Sequence, residues 1–357
     1  MTLIIVMPNP ALDRTMVIRN AQLGAVLRAE RVLVRAGGKG LNVARAARTL
    51  SQEALVCAPL GGHSGRWFAQ LAEAEGIVGR WSAIESETRS CVLLVDPAGN
   101  DATALNERGP ELSAAEWEAF GAGIVLLTAT ERRTENKGTK EQTSQQVQGA
   151  ERSAVLANSA SENPAFSAPS AVQNAELHLV ALCGSLPQGV APERYGELVQ
   201  LVQSQGFLAI VDTSGAALHA AFAARPWAIK VNARELGELL GRDITTVETA
   251  AAALEELRAS GVAIAAVTLG AQGALALDDT GCWWASPPPI ELVSSIGSGD
   301  SLLAGLCSGL LRGQSLPEAL RLGVACGSAD ALTIGGGLIE MATVERLAAA
   351  TQVVPFC

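Results

Sequence analysis

The amino-acid sequence predicts an α/β fold on a mostly parallel sheet with a small accessory sheet. Three observations carry that expectation. Short apolar runs alternate with Ala/Leu-rich helical stretches along most of the 357 residues, the spacing of strand–helix units. The apolar share is 48% but only 4% is aromatic, so a large core must be assembled from Ala, Val, Leu and Ile. Two segments, 14–36 and 85–108, interrupt the alternation with β-branched or alternating stretches and no long helix.

The N-terminal "TLIIVM" reads as a first buried strand, over 2–7. Further apolar runs predict strands over 54–59, 91–95, 177–183, 207–212, 227–231, 263–268 and 274–277. Helical periodicity predicts helices over 40–50, 64–75, 191–205, 233–240, 247–260, 299–312, 315–333 and 341–350. The helix over 40–50 leaves a glycine cluster, and that over 299–312 begins where "SSIGSGD" turns abruptly apolar. Residues 128–175 depart from every pattern. They are rich in Ser, Thr, Gln, Asn, Glu and Ala with little periodicity, as expected of a disordered or loosely helical insertion.

Composition narrows the function. A formal charge of −10 disfavours non-specific nucleic-acid binding while leaving room for a local basic pocket. No run approaches about 18 uninterrupted apolar residues, so no membrane span is expected. The N-terminus lacks a basic leader and reaches Pro8 and Asp13 early, unlike a signal peptide. Seven scattered cysteines without CxxC spacing suit reduced core thiols in a cytoplasmic protein. Three dispersed histidines suggest no zinc site.

Three stretches carry chemistry. In "SSIGSGDSLLAGL" (294–306) glycines open a helix, where N–H groups without intrahelical acceptors and a positive dipole end can close around a phosphate. Asp300 then lies in the first turn beside the anion; an acidic first-turn residue at an ordinary helix start is the alternative. In "RAGGKGLNVARAARTL" (35–50) Lys39, one of four lysines, is ringed by Gly37, Gly38 and Gly40. It fits neither a P-loop, since GxxxxGK[ST] is absent, nor a dinucleotide fingerprint, since the ribose-binding acid is missing. In "AIKVNARELGELLG" (228–241) Asn232 and Glu235 share one face of a helix start. They are placed either to hold magnesium-bound water or to form a capping box, and the two roles are compatible.

Together "GGKGLNVARA", "NARE" and "SSIGSGDSLLAG", with "MPNPALD", "CGSLPQGV", "VDTSG" and "TLGAQGALAL" in matching order, resemble the ribokinase/PfkB family of ATP-dependent sugar kinases. The resemblance covers nearly the whole chain except 128–175. "NPALD", "GGKGLNVARA" and "TRSCVLLVDPAGNDATALNERGPELS" are similar to its hexose-phosphate branch. It implies a Rossmann-like three-layer α/β/α, ribokinase-like domain over 1–357, with a small β-sheet lid from roughly 11–36 and 85–108 and a homodimer through that lid. Asp300 matches the family's catalytic base, and Gly297, Ser298 and Gly299 its anion hole. Asp13, Gly38 and Asn42 match sugar-hydroxyl contacts. Lys39, Arg89 and more weakly Arg28 fall where the branch meets the substrate's existing phosphate. Lys230, Asn232, Thr268, Gly270 and Gly273 match the ATP site, with Glu235 and Asn232 near Mg2+ through water. The implied reaction is phosphorylation of a ketohexose phosphate, foremost fructose 1-phosphate to fructose 1,6-bisphosphate. Tagatose 6-phosphate and fructose 6-phosphate are the alternative acceptors, and a sugar-phosphate-binding protein without catalysis is the other class. Ser298 where alanine is commoner, Cys91 in "TRSC" and Arg108 in "NERGP" depart from the branch's usual pattern.

Overall fold

The structure, a computed structural model, describes residues 1–22, 24–97, 101–147 and 177–356. The chain opens with β1 (Leu3–Val6), β2 (Ala11–Val17), β3 (Arg31–Gly37), α1 (Lys39–Thr49), β4 (Ala54–Gly61) and α2 (Gly62–Ala74). It continues through β5 (Val78–Ile84), β6 (Arg89–Asp96), β7 (Asp101–Asn106) and α3 (Ala114–Val147). Next come β8 (Leu179–Cys183), α4 (Glu193–Ser204), β9 (Leu208–Asp212), α5 (Gly215–Ala223), β10 (Ala228–Asn232) and α6 (Ala233–Leu240). The last part holds α7 (Val247–Ala259), β11 (Ile264–Thr268), β12 (Ala274–Asp278), β13 (Gly281–Ser286), α8 (Ser298–Leu311), α9 (Leu316–Asp330), α10 (Met341–Ala350) and β14 (Gln352–Pro355).

Ten strands form one sheet in the order β14-β13-β12-β11-β10-β9-β8-β1-β4-β5. From β11 to β5 every neighbouring pair is parallel, while β12, β13 and β14 add an antiparallel margin. Successive strand residues feed two cores. Leu3 and Ile5 pack with Leu41, Leu303 and Leu320, whereas Ile4 and Val6 pack with Phe120, Tyr195 and Leu254. The sheet is therefore covered by helices on both faces, which is why its central strands read as unbroken apolar runs. Each fully buried Leu or Ile contributes about 1.5–3 kcal/mol. With so few aromatics, stability rests on many such modest terms.

A second sheet, in the order β3-β2-β6-β7, pairs β2 with β3 antiparallel and with β6 parallel. The strand expected at 91–95 belongs to this sheet. Helix α3 is absent from the expected set. Its buried residues Trp117, Phe120 and Ile124 have helical spacing, but Gly121 and Gly123 weaken the signal between them. Residues 128–147 continue this helix, and the rest of the expected insertion, 148–175, lies outside the described residues. Strand β5 was also unforeseen: at the sheet edge it pairs only with β4, so it tolerates the polar residues of "VGRWSAI".

Two features position the site. Strand β1 lies between β8 and β4, and the chain builds outward from it in both directions, opening a crevice at the carboxyl ends of the strands. Helices α8 and α9 meet almost backbone to backbone: a Cβ on Gly305 would lie 2.7 Å from Gly323 Cα.

Candidate active site

Asp300 occupies the first turn of α8, which starts at Gly297 with φ +96°. The left-handed conformation and crowding both demand glycine there, since a Cβ would lie 2.3 Å from Gly336 Cα. The Gly297 carbonyl oxygen accepts from the N–H groups of Asp300 and Ser301, each at 2.9 Å, and so turns the chain tightly beneath the carboxylate. Asp300 is buried, and its Oδ2 accepts a hydrogen bond of 2.8 Å from Asn42 Nδ2. Burial drives its carboxyl up to about 6; Lys39 and Lys230 oppose this, Asp212 adds to it, and the Asn42 amide favours the charged form.

Beside it lies a charge triad in which Asp212 and Lys230 are buried and Lys39 is partly exposed. Asp212, the last residue of β9, accepts from Lys39 Nζ at 2.6 Å and from Lys230 Nζ at 2.7 Å. Burial alone would raise the Asp212 carboxyl, but the two ammonium groups outweigh it and hold it below the ordinary range. Lys39 is pushed the other way: burial would lower it, yet Asp212, Asp300 and Glu235 keep it firmly protonated. A Cβ on Gly299 would lie 2.9 Å from Lys230 Nζ, which sets that ammonium at the start of α8. Asn232 and Glu235 form the capping box: Asn232 Oδ1 accepts from the Glu235 N–H at 2.9 Å, and Glu235 Oε2 from the Asn232 N–H at 3.0 Å. Asp212, Asn232 and Thr268 end three adjacent parallel strands, so they share one carboxyl edge. Gly270 and Gly273 bracket the short turn that follows.

The opposite wall is the second sheet. Asp13 on β2 faces a cavity with Arg35, Asn42, Arg45, Cys91, Asn106 and Gly336 around it. Burial raises the Asp13 carboxyl, partly offset by the Gly38 N–H, Arg45 and Arg89. Arg35 and Cys91 stand directly opposite Asp13 on its two neighbouring strands, and Asn106 opposite Cys91.

Most of the expected residues therefore converge, and Lys39 and Arg89 are each engaged by protein groups. Lys39 pairs with Asp212, whereas Arg89 donates to the carbonyl oxygens of Asn9 at 2.9 Å and Glu107 at 2.8 Å. Arg28 is exposed on the segment between β2 and β3. Three residues escaped the sequence reading. Asp212 had a signal, a lone carboxylate closing the apolar run "FLAIVD". Arg45 sits three residues after Asn42 on the same helix, and Asp330, wholly buried, gave no sign at all.

Fold and site together define an α/β phosphotransferase acting on sugars. The sequence matches the pfkB family carbohydrate kinase over residues 9–130 and 126–340. It is 33% identical to the 1-phosphofructokinase of Rhodobacter capsulatus over 346 residues, covering 97% of this chain and 94% of that one. It is 27% identical to the tagatose-6-phosphate kinase of Staphylococcus epidermidis, covering 91% and 90%. Phosphofructokinase-2 from Escherichia coli, solved in complex with substrates and products, superposes with a TM-score of 0.80 at 27% identity, covering 98% and 99%. The chain belongs to the pfkB family of carbohydrate kinases.

Proposed function

We propose that this kinase transfers the γ-phosphoryl group of ATP to the free primary hydroxyl of a ketohexose phosphate, with fructose 1-phosphate the foremost acceptor and fructose 1,6-bisphosphate the product. The acceptor assignment draws on the similarity to 1-phosphofructokinase; tagatose 6-phosphate and fructose 6-phosphate are the alternatives. The observation that carries the reading is the buried Asp300 carboxylate, oriented by Asn42 and set at a glycine-lined helix start beside two lysines.

In this reading Asp300 holds the attacking hydroxyl in line and accepts its proton. At about 6 its carboxyl is a stronger base than an exposed aspartate yet still ionised at neutral pH. Proton acceptance of this kind is typically worth about 10²–10⁴-fold. Gly297, Ser298 and Gly299 present backbone N–H groups to the transferring phosphoryl, and Lys230 with Lys39 neutralises the polyphosphate. Lys39 thus serves the transfer end, while Arg89, with Arg28 further out, remains for the sugar's own phosphate. Asp13, Gly38 and Asn42 take the sugar hydroxyls; Thr268, Gly270 and Gly273 line the nucleotide.

Among the described residues no group of three or more His, Cys, Asp or Glu side chains is arranged to hold a metal. The single buried carboxylate of Glu235, with Asn232, therefore fits Mg2+ held mainly by nucleotide phosphates and water. When bound, that ion supplies charge neutralisation on the phosphates. A homodimer through the second sheet, which exposes Val32 and Leu105, and a cytoplasmic location complete the proposal.

Asp300→Asn tests it. Turnover of ATP with fructose 1-phosphate should fall by orders of magnitude with ATP affinity nearly unchanged; near-normal turnover sinks the assignment. Turnover of tagatose 6-phosphate or fructose 6-phosphate but not fructose 1-phosphate moves the acceptor assignment to that alternative.

A further inference from the structure

The contacts around Asn42 leave a question of orientation. An amide side chain offers a donor at one tip and an acceptor at the other, and both orientations fill the same space. Asn42 Nδ2 points at Asp300 Oδ2, at 2.8 Å, so its Oδ1 points away. That oxygen accepts from Arg45 NH1 at 3.1 Å. A guanidinium can only donate, so Arg45 selects the orientation in which Asn42 presents its NH2 group to Asp300.

Arg45 is itself fixed on every side. Its Nε donates to Glu75 Oε2 at 2.6 Å, NH1 also to the Gly336 carbonyl oxygen at 2.9 Å, and NH2 to the Ala36 carbonyl oxygen at 2.7 Å. These acceptors come from the end of α2, from the loop after α9 and from the end of β3. Gly336 is the residue against which Gly297 packs. The same guanidinium therefore ties Asn42 to the loop that abuts the helix start carrying Asp300.

We propose that Arg45 is a positioning residue for phosphoryl transfer: held by Glu75, it locks the Asn42 amide so that its NH2 group orients Asp300 toward the acceptor hydroxyl. This rests on the assignment of Asp300 as base. Without Arg45, Asn42 is free to rotate and present its oxygen to the carboxylate, which repels the ionised form and favours the protonated one. The charged and titratable groups that face Asp300 are Lys39 on α1, Cys183 on β8, Asp212 on β9, Lys230 on β10 and Asp330 on α9. Arg45 is joined to Asp300 through the Asn42 amide, whereas a direct effect of its charge would persist in the double variant and show as an additive shift.

The experiment is the pH profile of kcat at saturating ATP and sugar phosphate, with thermal unfolding measured alongside. In wild type the acid limb should fall near the Asp300 value of about 6. Losing a hydrogen bond to a charged group is worth roughly ten- to a hundredfold in that equilibrium, so Arg45→Met should move the limb up by about one pH unit or more. Asn42→Ala should move it likewise, and the double variant no further. Arg45→Lys gives a second route should the methionine variant not fold. Its ammonium is expected to stay with Glu75, recovering stability while the limb remains displaced. A wild-type limb in a folded Arg45 variant, while Asn42→Ala shifts it, overturns the inference. So does an additive shift in the double variant. Near-normal turnover in Asp300→Asn overturns the underlying assignment instead, and the two failures are distinct.

Discussion

Asp330 ends α9 as a wholly buried carboxylic acid. Its Oδ1 accepts from the N–H groups of Gly337 at 2.7 Å and Leu338 at 3.1 Å. Its Oδ2 has no hydrogen-bond partner among the described residues. Burial drives the carboxyl up to about 7, with Asp300 adding to the rise and the two backbone N–H groups opposing it. A folded-state value above the ordinary 3.8 means the folded chain binds this proton more tightly than the unfolded chain. The neutral acid is therefore accommodated below about pH 4, and stability is lost as pH climbs through the interval up to about 7. Linkage puts the loss at about 2 kcal/mol near pH 5 and about 4 kcal/mol near pH 8. Asp330→Asn keeps an oxygen for Gly337 and Leu338 and places an amide donor where Oδ2 was. The variant should gain about 2–3 kcal/mol on wild type between about pH 5 and pH 8. Urea unfolding at matched m-values across that range reads the difference directly. A stability difference that does not grow with pH would refute the reasoning.

Asp212→Asn leaves Lys39 and Lys230 facing one another without their shared carboxylate. Breaking a buried pair costs about 3–5 kcal/mol; a loss below about 1 kcal/mol in urea unfolding at neutral pH would contradict it. Gly297→Ala must adopt φ +96° and place a Cβ 2.3 Å from Gly336 Cα and 2.9 Å from Asp330 Oδ2. It should lower kcat by about 100-fold, at about 1–3 kcal/mol of stability, and steady-state turnover close to wild type would show that the helix start tolerates displacement.

What could be read from the sequence was local. The burial of "LIIV", the glycines before Asp300 and the Asn232–Glu235 box all depend on residues within one turn or one strand, where periodicity and capping chemistry act. The sequence also placed a small second sheet, because β2 and β3, and separately β6 and β7, follow one another with no helix between them and so break the strand–helix rhythm. What escaped is long-range. The Lys39–Asp212 pair spans 173 positions and the Asn42–Asp300 bond 258, and no pattern in either neighbourhood encodes the other. The glycine setting of Lys39 points to a phosphate from the sequence alone, while its pairing with Asp212 is visible only in the fold. Helix α3 was lost to two glycines in its apolar face, although Trp117, Phe120 and Ile124 pack normally once α4 lies against them.

The close approach of Gly305 to Gly323 bears on how the site can change. With no side chain between Gly305 and Gly323, α8 cannot slide along α9 at that crossing without a collision of backbones. The pair behaves as one stiff plate, with Asp300 at one corner and Asp330 at another. Adjustment to a different sugar phosphate then falls to the facing wall, where Arg35, Asp13, Cys91 and Asn106 stand in one row across four strands. Under the proposed function, substitutions in that row would retune the acceptor while the geometry of transfer stays as it is.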